Sequence, residues 1–161
     1  MISFDDVNDW RLVVASGCAI YLDYGNKRTG VAISDASWTI ATPLIVLETS
    51  NIFDGLLKIL REYKISLIII GIPLALNGGV HGQQHEIVNE FSEKLQKLLS
   101  KNNVSIPIMQ YDERLSSVVA NRVLVEAELS IKGKKKRVDK VAASFVLQGI
   151  LDRVKYKIYE N

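Results

Sequence analysis

Apolar residues recur along the chain at intervals of two, three and four, and those intervals sort it into strands and helices. Cys18 to Asp23 is an apolar run that ends on a carboxylate. The turn residues Tyr24-Gly25-Asn26 follow, and Val31 and Ile33 then alternate as a second strand, which together predict a hairpin. Thr42 to Leu47, with Pro43 near its start, predicts a weaker third strand, because proline is tolerated at strand beginnings and edges. From Ile52 to Tyr63 the apolar positions fall three and four apart, the spacing of an amphipathic helix lying over a sheet. Ser66 to Ile72 is almost continuously branched and apolar before Pro73, as in a strand covered on both faces. Ala75 to Gly82, with Asn77, Gly78, Gly79 and Gly82, predicts a flexible connection into a second helix that carries Phe91, Leu95 and Leu99. Val104 to Tyr111 predicts a last strand, Ser116 to Leu124 a short helix, and Asp139 to Tyr156 a long helix with Ala143, Val146 and Ile150 on its apolar face. Three antiparallel strands followed by strands joined through helices make an α/β chain with a mixed five-stranded sheet and helices on both faces.

At 161 residues, 48% of them hydrophobic and 24% charged, the chain has the size and composition of one folded domain rather than a disordered segment. The longest apolar stretch, Ile65 to Ile72, is far short of the about 20 residues that a bilayer-spanning helix needs. Asp5, Asp6 and Asp9 near the start, with a single late Arg11, are the opposite of the basic opening of a secretory or transit peptide. A lone cysteine, Cys18, excludes an internal disulfide and, within an apolar strand, reads as a small buried thiol. Together these features predict a cytoplasmic protein without a membrane span.

The net charge of +2, from 20 basic and 18 acidic residues, says little about partners, but its distribution says more. Lys132 to Lys140 holds six basic residues and one acid, so the remainder of the chain is net negative. Acidic residues, for their part, stand at the ends of predicted elements: Asp23 after the first strand, Asp112-Glu113 after the last, and Asp139 where the final helix begins. Each has an ordinary structural reading as a cap or turn residue. Jointly they suggest more, since a carboxylate beside an apolar core is costly without a cation or hydrogen-bond donors. Carboxylates gathered from separate elements, with no dedicated nitrogen or sulfur ligand, suit a hard ion such as Mg²⁺ or Mn²⁺. Such ions favour phosphoryl transfer, including in-line hydrolysis of a phosphodiester.

The segment Leu22-Asp23-Tyr24-Gly25-Asn26-Lys27-Arg28-Thr29-Gly30-Val31-Ala32-Ile33-Ser34-Asp35 resembles the opening signature of the YqgF/RuvX family of pre-16S rRNA nucleases. Ile70-Gly71-Ile72-Pro73-Leu74 with Asn77-Gly78, then Asp112-Glu113-Arg114-Leu115-Ser116, then Val138-Asp139-Lys140-Val141-Ala142-Ala143 resemble further family motifs in the same order. The likeness runs from Cys18 to Tyr156, with departures from the commonest pattern at Asn26, Thr29, Ala75 and Val119. It implies a ribonuclease H-like fold, as in Holliday-junction resolvases, and Asp23, Glu113 and Asp139 as the metal-binding catalytic acids. Strand alternation leaves Asp112 and Glu113 as alternatives, because neighbours point to opposite faces; the resemblance favours Glu113. Residues 1–17 take no part in the shared motifs, so they are expected to be an N-terminal extension, with 18–161 a single nuclease domain.

Lys27, Arg28 and Arg114 adjoin the proposed acids in sequence, as does the Lys132 to Arg137 run, expected to be a loop. Phosphate contacts of this kind give salt-sensitive affinity with little sequence information, and the first three residues are assigned to substrate binding. His81 and His85 are four apart beside Glu86, but the glycines before them predict a loop rather than a helical metal pair, and a zinc site would need further ligands. Trp10 and Trp38 could stack on bases, although large aromatics more often pack. The expected function is therefore a Mg²⁺- or Mn²⁺-dependent nuclease whose partner is nucleic acid: an rRNA precursor, its 5′ end processed in ribosome biogenesis, or alternatively branched DNA. An Asp-x-Gly turn also resembles the phosphate loop of actin-like and sugar-kinase ATPases, but those pair two such domains, and no Gly-rich P-loop ending in Lys-Ser/Thr is present. A non-catalytic nucleic-acid-binding or adaptor protein is the alternative from another class. No oligomeric state follows from the sequence.

Overall fold

The computed structural model describes residues 6–72, 81–113 and 135–160, apart from the side chains of residues 7, 81 and 135–140. Its elements are α1 (Val7–Ser16), β1 (Cys18–Asp23), β2 (Arg28–Ser34), β3 (Ala41–Glu48), a 3₁₀ turn (Thr49–Asn51), α2 (Ile52–Glu62), β4 (Ile65–Ile72), α3 (His81–Lys101), β5 (Ile108–Asp112) and α4 (Lys135–Tyr159). The strands form one five-stranded sheet in the order β3-β2-β1-β4-β5. β1 to β3 are antiparallel, and β4 and β5 run parallel to β1. This mixed five-stranded sheet, with its three antiparallel strands first, is the arrangement that the order of elements predicts. Pro43 falls on β3, which is an edge strand, as the missing amide donor demands.

Alternation along the strands divides the core into two layers. Ala19 and Tyr21 of β1, Leu67 and Ile69 of β4, and Met109 and Tyr111 of β5 pack under α4 and α1. Ile20 and Leu22, with Ile68, Ile70 and Ile72, pack on the opposite side under α2 and α3. All eight residues of β4 are buried, which is why its sequence reads as a nearly unbroken apolar run.

At several places the structure completes or corrects the sequence reading. Residues 7–16, to which the sequence pattern assigns no element, form α1, with Asp6 capping it by accepting the Asn8 amide at 2.9 Å. Trp10 is 0% exposed and meets Trp38 edge-on at 6.1 Å, so both indoles pack inside, the reading favoured for large aromatics. β5 begins at Ile108 instead of Val104, because Val104 belongs to the cap of α3. Asn103 there takes a left-handed φ of 56°, the Val104 amide bonds to Leu99 O and the Asn103 amide to Ser100 O, a Schellman closure. α3 itself starts at His81, so His81, Gly82 and His85 are helical rather than loop; Gly82 falls in the first turn, where amides have no intrahelical partner in any case. The second half of the lysine run, Lys135 to Arg137 with Lys140, is likewise helical, as suits residues of high helix propensity. The short helix expected over Ser116 to Leu124 lies outside the described residues. Among the described residues no helix is long and apolar enough to cross a membrane.

Candidate active site

Because β1, β4 and β5 are parallel, their C-terminal ends share one edge of the sheet, where crevices of open α/β sheets form. Leu22 is registered with Ile70, so Asp23 comes level with Gly71 one residue further on. Gly71 is in turn registered with Tyr111, and Ile72 with Asp112. Asp23 is half-buried, and by alternation it shares the face of Tyr21, the one under α4. Glu113 directly follows β5 and is only 2% exposed. Its Oε1 accepts a hydrogen bond from the Tyr21 hydroxyl at 2.5 Å, which puts it on that same face. Asp112 points the other way: its Oδ2 is 3.9 Å from His85 Nε2 of α3.

Gly71 explains how the two acids approach. Strands β1 and β5 are separated by β4, two spacings of about 4.8 Å, too far for short side chains to meet. A Cβ at Gly71 would overlap the Tyr21 hydroxyl, come within 2.6 Å of its Cζ and within 2.8 Å of Glu113 Oε1. The glutamate therefore leans back over β4, and its carboxylate lies above the residue next to Asp23. The apolar run of β4 carries its one glycine at the point where polar side chains cross it.

Asp139 is the fifth residue of α4, so it is not the helix cap that the sequence suggested. It stands one turn before Ala143 and two before Val146, both buried under the sheet; its side chain is outside the description. Arg28 opens β2 opposite Gly30's strand partner Asp23 by two residues, and alternation puts it on the α4 face with the acids. Lys27 is exposed in the preceding turn. Thr49 ties that turn down: its amide bonds to Lys27 O at 2.9 Å, and its hydroxyl to Gly25 O at 2.7 Å and to buried Thr29 at 3.0 Å. Thr29, a departure from the family pattern, thus has its hydroxyl satisfied inside the fold. Arg114 lies outside the described residues.

Other titratable groups are poor candidates for the chemistry. Burial, and then the charge of Asp35, pushes the Cys18 thiol above its ordinary range, which weakens it as a nucleophile. Burial likewise raises the Tyr24 phenol, whose ring stacks on Phe91 at 4.3 Å. Among the described residues no three His, Cys, Asp or Glu side chains are grouped to hold a metal. The donors that share this face and end of the sheet, Asp23 and Glu113, are all oxygen. A carboxylate as deeply buried as Glu113 calls for compensating charge or donors, and an oxygen donor set of this kind fits a hard divalent ion. Tyr21 and Thr49 lie outside the quoted motifs, and Gly71 lies within one without a role assigned to it. Their signals were a phenol inside an apolar strand, a threonine after β3 and a glycine within a branched run.

Fold and site together describe an α/β protein with Asp23 and Glu113 on one face at the C-terminal end of its sheet. A model of the RuvX family, described as Holliday junction resolvase, matches residues 17–153. Three curated relatives each carry the name "Putative pre-16S rRNA nuclease". That of Clostridium novyi is 42% identical over 136 residues, covering 83% of this chain and 96% of its own. That of Thermoanaerobacter pseudethanolicus is 43% identical over 140 residues, covering 84% and 96%. That of Rickettsia typhi is 38% identical over 149 residues, covering 91% and 92%. A solved structure titled "T. thermophilus RuvC in complex with Holliday junction substrate" aligns with a TM-score of 0.48 at 12% identity, over 80% of this chain and 90% of that one. The chain belongs to the RuvX family.

Proposed function

We propose that this protein is a Mg²⁺- or Mn²⁺-dependent nuclease that hydrolyses phosphodiester bonds in the precursor of 16S rRNA, processing its 5′ end during ribosome biogenesis. The observation that supports the reading is the Glu113 carboxylate held over Gly71 by the Tyr21 hydroxyl, on the face of the sheet that Asp23 shares and level with it in register. The names of the relatives point the same way. Asp23, Glu113 and Asp139 would hold the metal, which when bound supplies an activated water and charge stabilisation at the leaving oxygen. Arg28, Lys27 and Arg114 would hold the phosphates on either side of the scissile bond by charge rather than by reading bases. An rRNA-precursor substrate implies a cytoplasmic site of action.

A second reading, resolution of branched DNA, is favoured by the family's description and uses the same acids. Incubation of the purified protein with precursor rRNA, single-stranded RNA and a four-way DNA junction, each with Mg²⁺, Mn²⁺ or chelator, separates the readings. Cleavage of the precursor only with metal is expected, lost in Asp23→Asn with an unchanged circular dichroism spectrum. Preference for the junction supports the second reading. Binding without cleavage under every metal condition overturns both in favour of an adaptor.

A further inference from the structure

We infer that Tyr21 is a positioning residue for the metal site: its hydroxyl holds the Glu113 carboxylate over Gly71, beside Asp23, in the orientation that binds the divalent ion. This rests on the reading of Glu113 as a metal ligand. Tyr21 lies two residues before Asp23 on the same face of β1, and it is 0% exposed. Its ring is packed among the side chains of β1, β4, β5 and α4, so the phenol is fixed before any ligand arrives. The hydroxyl has one proton to donate, and it goes to Glu113 Oε1 at 2.5 Å, the short end of the O–H···O range.

Geometry shows why such a tether matters. A glutamate that follows β5 has three rotatable bonds between its backbone and its carboxylate, and Asp23 is two strands away. A hydrogen-bond partner above β4 favours the rotamer that bends toward β1. Tyr21 supplies that partner, and the bare backbone of Gly71 supplies the clearance, since a methyl there would overlap the hydroxyl. Hydrogen-bond partners of metal-ligating carboxylates orient their ligands, and losing one costs about tenfold or more in metal affinity or activity.

Mn²⁺ titration of the full chain, followed by electron paramagnetic resonance, tests this on wild type, Tyr21→Phe, Gly71→Ala and Glu113→Gln, beside kcat and KM on the cleaved substrate. Tyr21→Phe keeps the ring, so an unchanged circular dichroism spectrum is expected, together with Mn²⁺ affinity weakened about tenfold. kcat should fall at limiting Mn²⁺ and recover as Mn²⁺ is raised, with substrate KM unchanged, a pattern that a merely structural defect would not give. Folded Gly71→Ala should weaken Mn²⁺ binding in the same direction, which keeps the test available if Tyr21→Phe fails to fold. Wild-type Mn²⁺ affinity in folded Tyr21→Phe or Gly71→Ala, while Glu113→Gln loses binding, overturns the role of Tyr21 alone. Wild-type affinity in Glu113→Gln overturns the metal reading of Glu113 and the tether with it.

Discussion

Asp112 and Glu113 are neighbours in the chain that serve opposite faces of the sheet: Asp112 meets His85 of α3 at 3.9 Å, and Glu113 meets Tyr21 under α4 at 2.5 Å. A one-residue step along an extended chain reverses the side chain, so only one of the pair can join Asp23. Glu113→Gln should lower metal-dependent cleavage at least about a hundredfold, the upper end of what losing a ligand's own supporting partner costs. Asp112→Asn should cleave close to wild type. Single-turnover cleavage of precursor rRNA at saturating metal measures both, and equal losses would contradict the division of faces.

Which parts of this arrangement were legible beforehand follows from the range of the interactions involved. β1 and β4 declared themselves because covering a strand on both faces requires consecutive apolar residues, as in Ile68, Ile69 and Ile70. The acids were visible as carboxylates abutting apolar runs, and the family motifs narrowed Asp112 and Glu113 to the latter. The Tyr21–Glu113 contact joins residues 92 positions apart and depends on the registers of β1 with β4 and β4 with β5, which no local pattern encodes. α1 was missed for a related reason. Ten residues are too few for a stable isolated helix, and its order comes from burying Trp10 against Trp38 and α4.

That dependence gives α1 a measurable role in stability. Trp10→Ala removes a fully buried indole, and large-to-small changes of this type cost about 3–5 kcal/mol. Urea unfolding followed by circular dichroism should show a midpoint shifted down accordingly. A loss within experimental error would mean that α1 does not contribute to the core in solution.

Acid sensitivity should centre partly on the loop between β2 and β3. Burial tends to raise the Asp35 pKa, but the Ile40 amide at 2.9 Å, the Ser37 hydroxyl at 2.5 Å and the Thr39 amide at 2.7 Å outweigh it, so the carboxyl titrates below its ordinary value. A folded-state pKa below the unfolded one means that the native state favours the ionised form. The resulting stability is complete above the unfolded carboxylate value of about 3.9 and is lost as pH falls through the lower folded value. Wild type should therefore exceed Asp35→Asn in stability at pH 7, and the gap should close below about pH 4. Melting temperatures of the two across that range check the sign; a gap that widens on acidification would reverse it.

Arg28 offers a test of how nucleic acid is held. It shares the α4 face with Asp23 and Glu113 by strand alternation, at the edge of the sheet where those acids gather. A guanidinium there would engage a backbone phosphate and release a counterion when it does so. Arg28→Ala should weaken binding of precursor RNA by a similar factor for unrelated sequences, and should reduce the slope of log K against log salt by about 1. Fluorescence anisotropy at a series of salt concentrations, in the presence of a chelator to prevent cleavage, provides both numbers. If affinity falls while the slope stays at the wild-type value, Arg28 acts through the architecture of β2 instead of through a phosphate.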